Sequence, residues 1–253
     1  MKNKTKARAL NIIEKYVDRI SKLSFVKSII LVGSLSDDTY TEGNGSDIDI
    51  VNIIDSNNYS EDKDIIIKYI EEIEKLTNYD IPISKVVFSY NQLFHPYEYD
   101  FVIKKENKDL IELPIEVLRI KYSGKVLYGE DIIDIIESPT KLDVLKSKEL
   151  NKELIKRLSI ENPEWYESYL RMIENPSINI ISQIVITSAM EDYFLITGKN
   201  CSSKNKILAC IEKDLPNYEK IEILKICYKY RINKQLTDEE ELLIKKLYKK
   251  LYK

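Results

Sequence analysis

The stretch that most constrains this chain is "SIILVGSLSDDTYTEGNGSDIDIVNII", residues 28–54. Its first five residues predict a buried strand that ends at the pair Gly33 and Ser34. A polar gap of twelve residues (35–46) separates it from a second predicted strand (47–54), and three of the chain's six glycines lie in the stretch. Because the second strand is otherwise mostly apolar but begins with two acidic residues, this end of the predicted sheet is a candidate binding site.

The two aspartates of this stretch predict a metal site. Residues two apart in a strand point the same way, so Asp47 and Asp49 project side by side from one face. Two like charges repel each other and resist burial, and a divalent cation such as Mg²⁺ resolves the conflict while it leaves coordination positions for phosphate oxygens. Gly33 allows close approach of a ligand, and Ser34 with its neighbouring N–H groups can hold a phosphate. A solvated strand end is the alternative, but the full combination favours a site for a nucleoside triphosphate and its metal.

The remaining pattern of the first half predicts a small α/β domain. Apolar residues at helical spacing predict a helix over residues 7–23, and "ISKVVFS" (83–89) predicts a third strand. Ser60 is a candidate cap for a helix between these strands. "PIEVLRIKYSG" predicts another helix, and "KVLYG" (125–129) predicts a further strand. We therefore expect an α/β domain with a small mixed sheet and flanking helices over residues 1–135.

Beyond this point the strand signal stops, and residues 136–253 predict a helical bundle. "NPSINIISQIVITSAMEDYFLITGK" predicts a helix that ends at Gly198, a residue suited to a left-handed cap. Thr237 and Glu240 form a capping box at the start of the last helix. In that helix Leu243 and Leu247 begin an apolar stripe.

The amino-acid composition limits which binding partners and which cellular compartment we expect for this chain. A net charge of −3 and a pI near 5.6 give no basic field for duplex DNA. No uninterrupted apolar run reaches the roughly 18–20 residues that predict a membrane span. The three cysteines lack metal-ligand spacing and cannot all pair, which favours a reducing cytoplasm. We expect a cytoplasmic protein that binds neither duplex DNA nor a membrane, and the sequence leaves its oligomeric state open.

The motif "VGS…DIDI" resembles the signature of the nucleotidyltransferase superfamily related to DNA polymerase β, which reads h-G-[G/S], a short gap and D-h-[D/E]-h, where h is apolar. The resemblance implies an enzyme that moves a nucleoside monophosphate from an NTP to an acceptor hydroxyl and releases pyrophosphate, with two Mg²⁺ ions. It implies that Asp47 and Asp49 are catalytic metal ligands and that Gly33 and Ser34 bind the triphosphate.

The layout of the whole chain resembles that of the bacterial aminoglycoside adenylyltransferases, which join a catalytic domain to a helical domain. This resemblance implies ATP as the nucleotide, a small-molecule acceptor such as an aminoglycoside, and a role in antibiotic resistance. It also implies nucleotide contacts from Ser46 and from Lys204, although Lys204 is one residue out of step with the family's lysine. Met190 stands where these enzymes place an arginine that helps to bind ATP. This difference weakens the inference that the acceptor is an antibiotic more than it weakens the inference of the fold.

A third carboxylate completes the metal site or acts as the base in most members of the superfamily, and this chain departs from the pattern. Ser84 occupies the expected position on the third predicted strand, and an ordinary hydroxyl is no base near pH 7. Asp100, in "YEYDFVIKK", is our first candidate for the missing catalytic carboxylate. Asp80 is the second, and the absence of any third carboxylate is the remaining alternative.

Two other functions stay open on the sequence alone. A nucleotidyltransferase of the toxin–antitoxin type would modify a protein or a tRNA, and a pseudoenzyme would bind ATP and Mg²⁺ without transfer. Ser84 motivates the second of these. If Asp192 faces the substrate, its charge would favour an acceptor that carries an amine.

Overall fold

The structure, a computed structural model, describes residues 5–38, 40, 47–90, 113–201, 203–233 and 235–252. Backbone contacts divide the chain into two units. Among the described residues, the first unit contains those up to Tyr90 together with Glu116–Pro139, and the second contains residues 113–115 and those from Thr140 onward. Ser46 and Asp100, both predicted site residues, lie outside the described residues.

The first unit is a four-stranded mixed sheet with helices. Its strands are β1 (Val26–Leu31), β2 (Ile50–Ile54), β3 (Val86–Ser89) and β4 (Lys125–Gly129). Its helices are α1 (Lys6–Ile20), the single turn α2 (Gly33–Ser36), α3 (Tyr59–Leu76) and α4 (Leu113–Ser123), the last from Glu116 onward. The sheet order is β3-β2-β1-β4, with β1 antiparallel to both of its neighbours and β2 parallel to β3. The predicted α/β class with a small mixed sheet is confirmed.

The core of the first unit lies under the two central strands. Every residue of β2 is buried, and the buried faces of α1 and α3 belong to the same apolar cluster. Asn52 brings a polar group into this core, where the Tyr16 hydroxyl donates to its Oδ1 at 2.6 Å and its Nδ2 donates to the Val86 carbonyl at 3.1 Å. Burial raises the pKa of Tyr16, which keeps this hydroxyl a donor. The hydrogen bonds therefore join α1, β2 and β3 across the core.

Two predicted strands are shorter in the structure. The segment predicted as 47–54 is regular only from Ile50, and an isolated parallel bridge pairs Ile48 with Ile83. The third strand, predicted from residue 83, begins at Val86. Between the Ile48–Ile83 bridge and the start of regular pairing at Val51 and Val86, the Ser84 hydroxyl bonds to the backbone of Ile50 in place of a backbone group.

The predicted cap at Ser60 is wrong. Helix α3 begins at Tyr59, and Asn58 occupies the N-cap position, two residues before the predicted cap. The Ser56 hydroxyl accepts from the Asn58 N–H at 2.8 Å and contacts the Asp62 carboxylate, so a turn before the helix fixes its start.

The second unit is helical. Its helices are α5 (Lys141–Glu161), α6 (Pro163–Glu174), α7 (Ile178–Thr197), α8 (Ile207–Asp214), α9 (Ile221–Asn233) and α10 (Asp238–Tyr252). Gly198 ends α7 with a left-handed φ of 72°, as predicted, and the predicted capping box of Thr237 and Glu240 is present at α10. The buried stripe of α10 lies at Ile244 and Tyr248, one residue beyond the predicted leucines, which are partly buried.

Helix α7 is the central helix of this unit. It packs against α8, α9 and α10, and its buried residues recur at helical spacing. It is also the one helix among the described residues that is long and apolar enough to span a bilayer, and 44% of its apolar window is buried within the protein.

Candidate active site

Gly33 stands where β1 ends, and the structure requires glycine there for two reasons. Its φ of 72° lies in the left-handed region that side chains disfavour, and it begins the single helical turn α2. A Cβ atom at this position would also lie 2.1 Å from Oδ2 of Asp49, well inside van der Waals contact. The first half of the predicted motif therefore lies directly against the second half.

The two aspartates of the motif flank a buried isoleucine just before β2. Asp47 is exposed, Ile48 is buried and Asp49 is partly exposed, which is the alternation predicted for an extended segment. The Val32 N–H donates to the Asp49 carbonyl at 2.9 Å and so ties this segment to the end of β1. Ser34 lies in α2 and is partly exposed. The backbone thus brings Gly33 and Asp49 together and places both aspartates where solvent reaches them.

Arg119 is a residue of this site that the sequence analysis missed. Its Nη2 lies 3.6 Å from Oδ2 of Asp49, with side-chain exposures of 14% for the arginine and 25% for the aspartate. It sits on α4 between Leu118 and Ile120, which are both buried. A charged side chain within the apolar run "VLRI" was the available signal, because arginine is rarely buried without a partner.

One hydrogen bond holds α4 against the turn that follows Gly33. The Ser36 hydroxyl at the end of α2 donates to the Ser123 carbonyl. Within α4, the Ser123 hydroxyl donates to the Arg119 carbonyl at 2.8 Å, one helical turn earlier. The turn that follows Gly33 is therefore tied to the end of the helix that carries Arg119.

Ser84 has a structural role in this edge of the sheet. Its hydroxyl accepts from the Ile50 N–H at 2.8 Å and donates to the Ile50 carbonyl at 2.8 Å. Both hydrogen bonds satisfy backbone groups of a buried residue. The serine at the position of the expected carboxylate therefore completes the pairing of β2.

The other described candidate for the third carboxylate is engaged elsewhere. Oδ2 of Asp80 lies 3.5 Å from Nη2 of Arg8, near the start of α1. Among residues 5–38, 40, 47–90 and the described part of the chain beyond 112, no group of three or more His, Cys, Asp or Glu side chains is arranged to hold a metal. Asp100 therefore stays the first candidate, outside the described residues.

The structure shows the surroundings of three residues of the helical unit that the sequence analysis considered for substrate binding. Met190 is 6% exposed and packs in the core of this unit, so its position offers no side chain to a nucleotide. Lys204 lies in the loop before α8, where its carbonyl accepts from the Tyr228 hydroxyl. Oδ2 of Asp192 accepts from the Tyr218 hydroxyl at 2.7 Å and from Lys220 Nζ at 2.8 Å. The charge of Asp192 is therefore balanced within the unit.

A cavity of about 580 Å³ lies beside this ion pair, within the second unit. It is lined by Asp192, Ile196 and Asp214 and by the loop of residues 215–220 between α8 and α9. Oδ2 of Asp214 accepts from the Tyr193 hydroxyl at 2.6 Å and from Lys199 Nζ at 2.9 Å. Asp192 and Asp214 are thus each paired with a lysine, and Glu219 is a third carboxylate that lines the cavity.

Comparison with protein families agrees with the motif geometry. Residues 10–122 match the family model described as "Nucleotidyltransferase domain", and this range contains Gly33, Ser34, Asp47, Asp49 and also Arg119. The chain therefore carries a nucleotidyltransferase domain, the domain of a class of transferase enzymes, and the predicted resemblance is confirmed.

Two solved structures are similar to this chain to different degrees. A spectinomycin adenyltransferase from Enterococcus faecialis, crystallised with ATP and spectinomycin, is 17% identical and superposes with a TM-score of 0.58 over 98% of this chain and 99% of its own. A toxin–antitoxin structure with AMP-PNP is 16% identical, with a TM-score of 0.28 over 59% of this chain and 91% of its own. A search of curated proteins found no match. The first similarity establishes a common fold along the chain.

Proposed function

We propose that this protein transfers AMP from ATP to a hydroxyl group of a small molecule and releases pyrophosphate, with Mg²⁺ as the metal. The observation that carries the proposal is the contact between Gly33 and Asp49. It joins the phosphate-binding half of the motif to its metal-binding half where β1 ends and the segment before β2 begins. A lone Gly-Ser or a lone Asp-x-Asp would not support this function, but their direct contact does.

The residues present fit a magnesium site. Asp47 and Asp49 supply hard carboxylate oxygens on the solvent-accessible side of an extended segment, and Mg²⁺ bound by one or two carboxylates completes its shell with phosphate oxygens and water. The missing side chain of Gly33 leaves Oδ2 of Asp49 in place. When bound, two such ions would neutralise charge on the phosphates of ATP during transfer.

The remaining nucleotide contacts follow from the resemblance and the fold. We assign Ser34 to the triphosphate, and Ser46 and Lys204 to further nucleotide contacts. In this proposal the protein orients the α-phosphate and the acceptor, and positioning with charge stabilisation supplies most of the rate. Residues 1–135 form the catalytic domain, and residues 136–253 contribute to substrate binding.

Asp100 is the proposed third carboxylate. It would accept the proton that the acceptor hydroxyl loses as its oxygen bonds to phosphorus. The described alternatives support this choice, because Ser84 is bonded to the Ile50 backbone and Asp80 is paired with Arg8.

The acceptor is proposed as an aminocyclitol or aminoglycoside. The fold similarity to a spectinomycin adenyltransferase over 98% of the chain supports a small molecule of this class. Antibiotic resistance and a cytoplasmic location, where ATP and Mg²⁺ are available, belong to the same proposal.

The test is an acceptor screen with radiolabelled ATP. Purified protein with Mg²⁺ is incubated with spectinomycin, aminoglycosides, lincosamides, neutral sugars, bulk tRNA or a protein extract. We expect label from [α-³²P]ATP, and none from [γ-³²P]ATP, in a small molecule with an amine-bearing ring. Label in tRNA or protein instead would identify the toxin–antitoxin type of activity, and no label with any acceptor would support a pseudoenzyme.

Matched variants test the proposed base. Asp100→Asn should abolish labelling while ATP binding persists, because only the proton acceptor is removed. Asp80→Asn is the control, since Asp80 pairs with Arg8 and should retain activity. The reverse pattern would assign the third carboxylate to Asp80.

A further inference from the structure

We infer that Cys201 and Cys210 are a redox-sensitive pair, which a peroxide converts into a disulfide that closes residues 201–210 into a ring. Both cysteines belong to the helical unit and are free thiols in the structure. Cys201 lies three residues after the cap of α7, and Cys210 lies on α8. The bond would therefore tie the segment between these two helices to α8. In a reducing compartment such a bond forms transiently and is reversed by cellular thiols.

The sulfur atoms of the two cysteines are in contact. The Cys210 thiol donates to Cys201 Sγ, and the two sulfur atoms lie 3.1 Å apart. The S–S bond of a disulfide is about 2.05 Å long, so an approach of about 1 Å would complete it. The fold thus brings together two thiols that are nine positions apart in the sequence.

Both sulfur atoms are held by packing. Cys201 is 7% exposed and belongs to the apolar core of the helical unit, and Cys210 packs against the same core. The helix of Cys210 is anchored by Ile207 and Ile211, which are fully buried. The Cys201 thiol donates to the Ser203 carbonyl at 3.8 Å, so its hydrogen is directed at Ser203 and a lone pair of its sulfur is available to Cys210.

The two thiols differ in how easily a peroxide oxidises them. Burial raises the pKa of the Cys201 thiol to about 12, so this thiol stays protonated near neutral pH. Cys210 is partly exposed, and thiol oxidation follows exposure and thiolate character. We therefore expect Cys210 to react first and Cys201 to react second.

The chemistry proceeds in two balanced steps. The Cys210 sulfur attacks one oxygen of the peroxide, the O–O bond breaks, and the thiol proton leaves with the other oxygen as water, so that Cys210 becomes a sulfenic acid. The Cys201 sulfur then attacks the Cys210 sulfur. The S–S bond forms as the S–O bond breaks, and the Cys201 proton joins the leaving hydroxide as a second water. Two thiols are oxidised, and one hydrogen peroxide is reduced to two waters.

The first test is peptide mapping of the full chain after treatment with hydrogen peroxide and alkylation of the remaining thiols. Trypsin cleaves after lysines on both sides of each cysteine and places the two on separate peptides, 200–204 and 207–213. We expect these peptides to be joined, with a mass two hydrogen atoms below their sum, and a reductant should separate them. Conversion of Cys210 to sulfinic acid without any link would overturn the inference.

Cys227 is the built-in control, because it is fully buried on α9. Cys227→Ala should give the same linked peptides in the same yield as the wild type. A link from Cys227 to either of the other cysteines, or a link between two chains, would overturn the inference.

The order of the two steps is tested with dimedone, which labels sulfenic acids. In Cys201→Ala the second thiol is missing, so the sulfenic acid should persist and the label should be found on Cys210. In Cys210→Ala the label on Cys201 should be at least about tenfold lower, because this thiol is buried and protonated. Stronger labelling of Cys201 than of Cys210 would refute the assigned order.

A redox titration tests whether the fold favours the bond. Cys227→Ala keeps only the two cysteines of the pair, so its thiols can be equilibrated with glutathione buffers in the folded state and in urea. The ratio of disulfide to dithiol should be at least about tenfold higher in the folded protein, because the fold already holds the sulfur atoms together. An equal or lower ratio in the folded protein would overturn the inference.

Discussion

The carboxylates of the two units show how differently one kind of side chain is used in this protein. In the helical unit, Asp192 and Asp214 each accept a tyrosine hydroxyl and a lysine ammonium at 2.6–2.9 Å. At the motif, Asp49 lies 3.6 Å from a guanidinium, beside a glycine that has no side chain. The two helical carboxylates accept short hydrogen bonds from residues of their own unit, while Asp49 lies directly against the backbone of Gly33. In our proposal the two helical carboxylates stabilise the fold, while Asp49 binds the metal.

The largest expected effect is on the motif aspartates. Asp49→Asn should lower adenylyl transfer about a thousandfold, because the metal loses a charged ligand. It should not stabilise the metal-free protein, since it also removes the negative charge beside Arg119. Asp47→Asn, at an exposed position, should lose comparable activity with an unchanged or slightly raised melting temperature. Near-normal turnover in either variant would remove the metal assignment.

Gly33→Ala should combine a loss of activity with a loss of stability. A methyl group would meet Oδ2 of Asp49 at 2.1 Å, and the left-handed φ would be strained by about 1–3 kcal/mol. Displacement of the carboxylate by about 1 Å should lower transfer about a hundredfold. Thermal melting and steady-state kinetics measure both effects. Gly198→Ala is the control, because it has the same φ of 72° in the other unit but no contact closer than 3.6 Å, and it should lose stability alone.

Ser84→Ala should affect stability more than catalysis. It removes two hydrogen bonds to the Ile50 backbone, which are worth about 1–2 kcal/mol together and should lower the melting temperature by about 3–6 °C. Transfer should fall no more than about threefold, since the serine is not a proton acceptor here. A large loss of transfer at unchanged stability would instead place Ser84 in contact with substrate.

The smallest expected effect is a pH-dependent contribution of Asp214, in the helical unit, to the stability of the fold. The hydrogen bond from Tyr193 and then the one from Lys199 lower the pKa of Asp214. A lowered pKa in the folded state means that the ionised carboxylate stabilises the fold above its ordinary pKa, and that this contribution is lost as the pH falls through the folded-state value. Asp214→Asn should therefore melt below the wild type at pH 7, and the difference should shrink as the pH falls below about 4 towards the lowered folded-state pKa. An equal difference at both pH values would rule out this linkage.

The contact between the two halves of the candidate site could be predicted, because the residues concerned lie close together along the chain. Gly33, Ser34, Asp47 and Asp49 share one local pattern, and strand periodicity is enough to place the aspartates on one face. The strand ends were less predictable, because Ser84 replaces regular pairing with side-chain hydrogen bonds to Ile50.

Side chains that contact Asp49 and Asp192 from distant positions in the sequence could not be predicted, because only tertiary packing brings them together. Arg119 reaches Asp49 from a helix 70 residues later, and only the packing of α4 against the sheet brings the two together. The charge of Asp192 suggested a substrate contact, but Tyr218 and Lys220 of the loop before α9 both donate to this carboxylate. Periodicity identifies the exposed and buried faces of a helix, but it does not identify the residue that packs against each face.

Calorimetric titration with AMP-PNP most directly tests whether the motif of the first unit is a metal-dependent nucleotide site. Wild-type protein should bind the nucleotide at least about tenfold more tightly in millimolar Mg²⁺ than in chelator, because four phosphate charges otherwise face Asp47 and Asp49. Asp49→Asn should lose most of this dependence on Mg²⁺. Equal affinity in Mg²⁺ and in chelator for the wild type, or full Mg²⁺ dependence in Asp49→Asn, would contradict the assignment of this site.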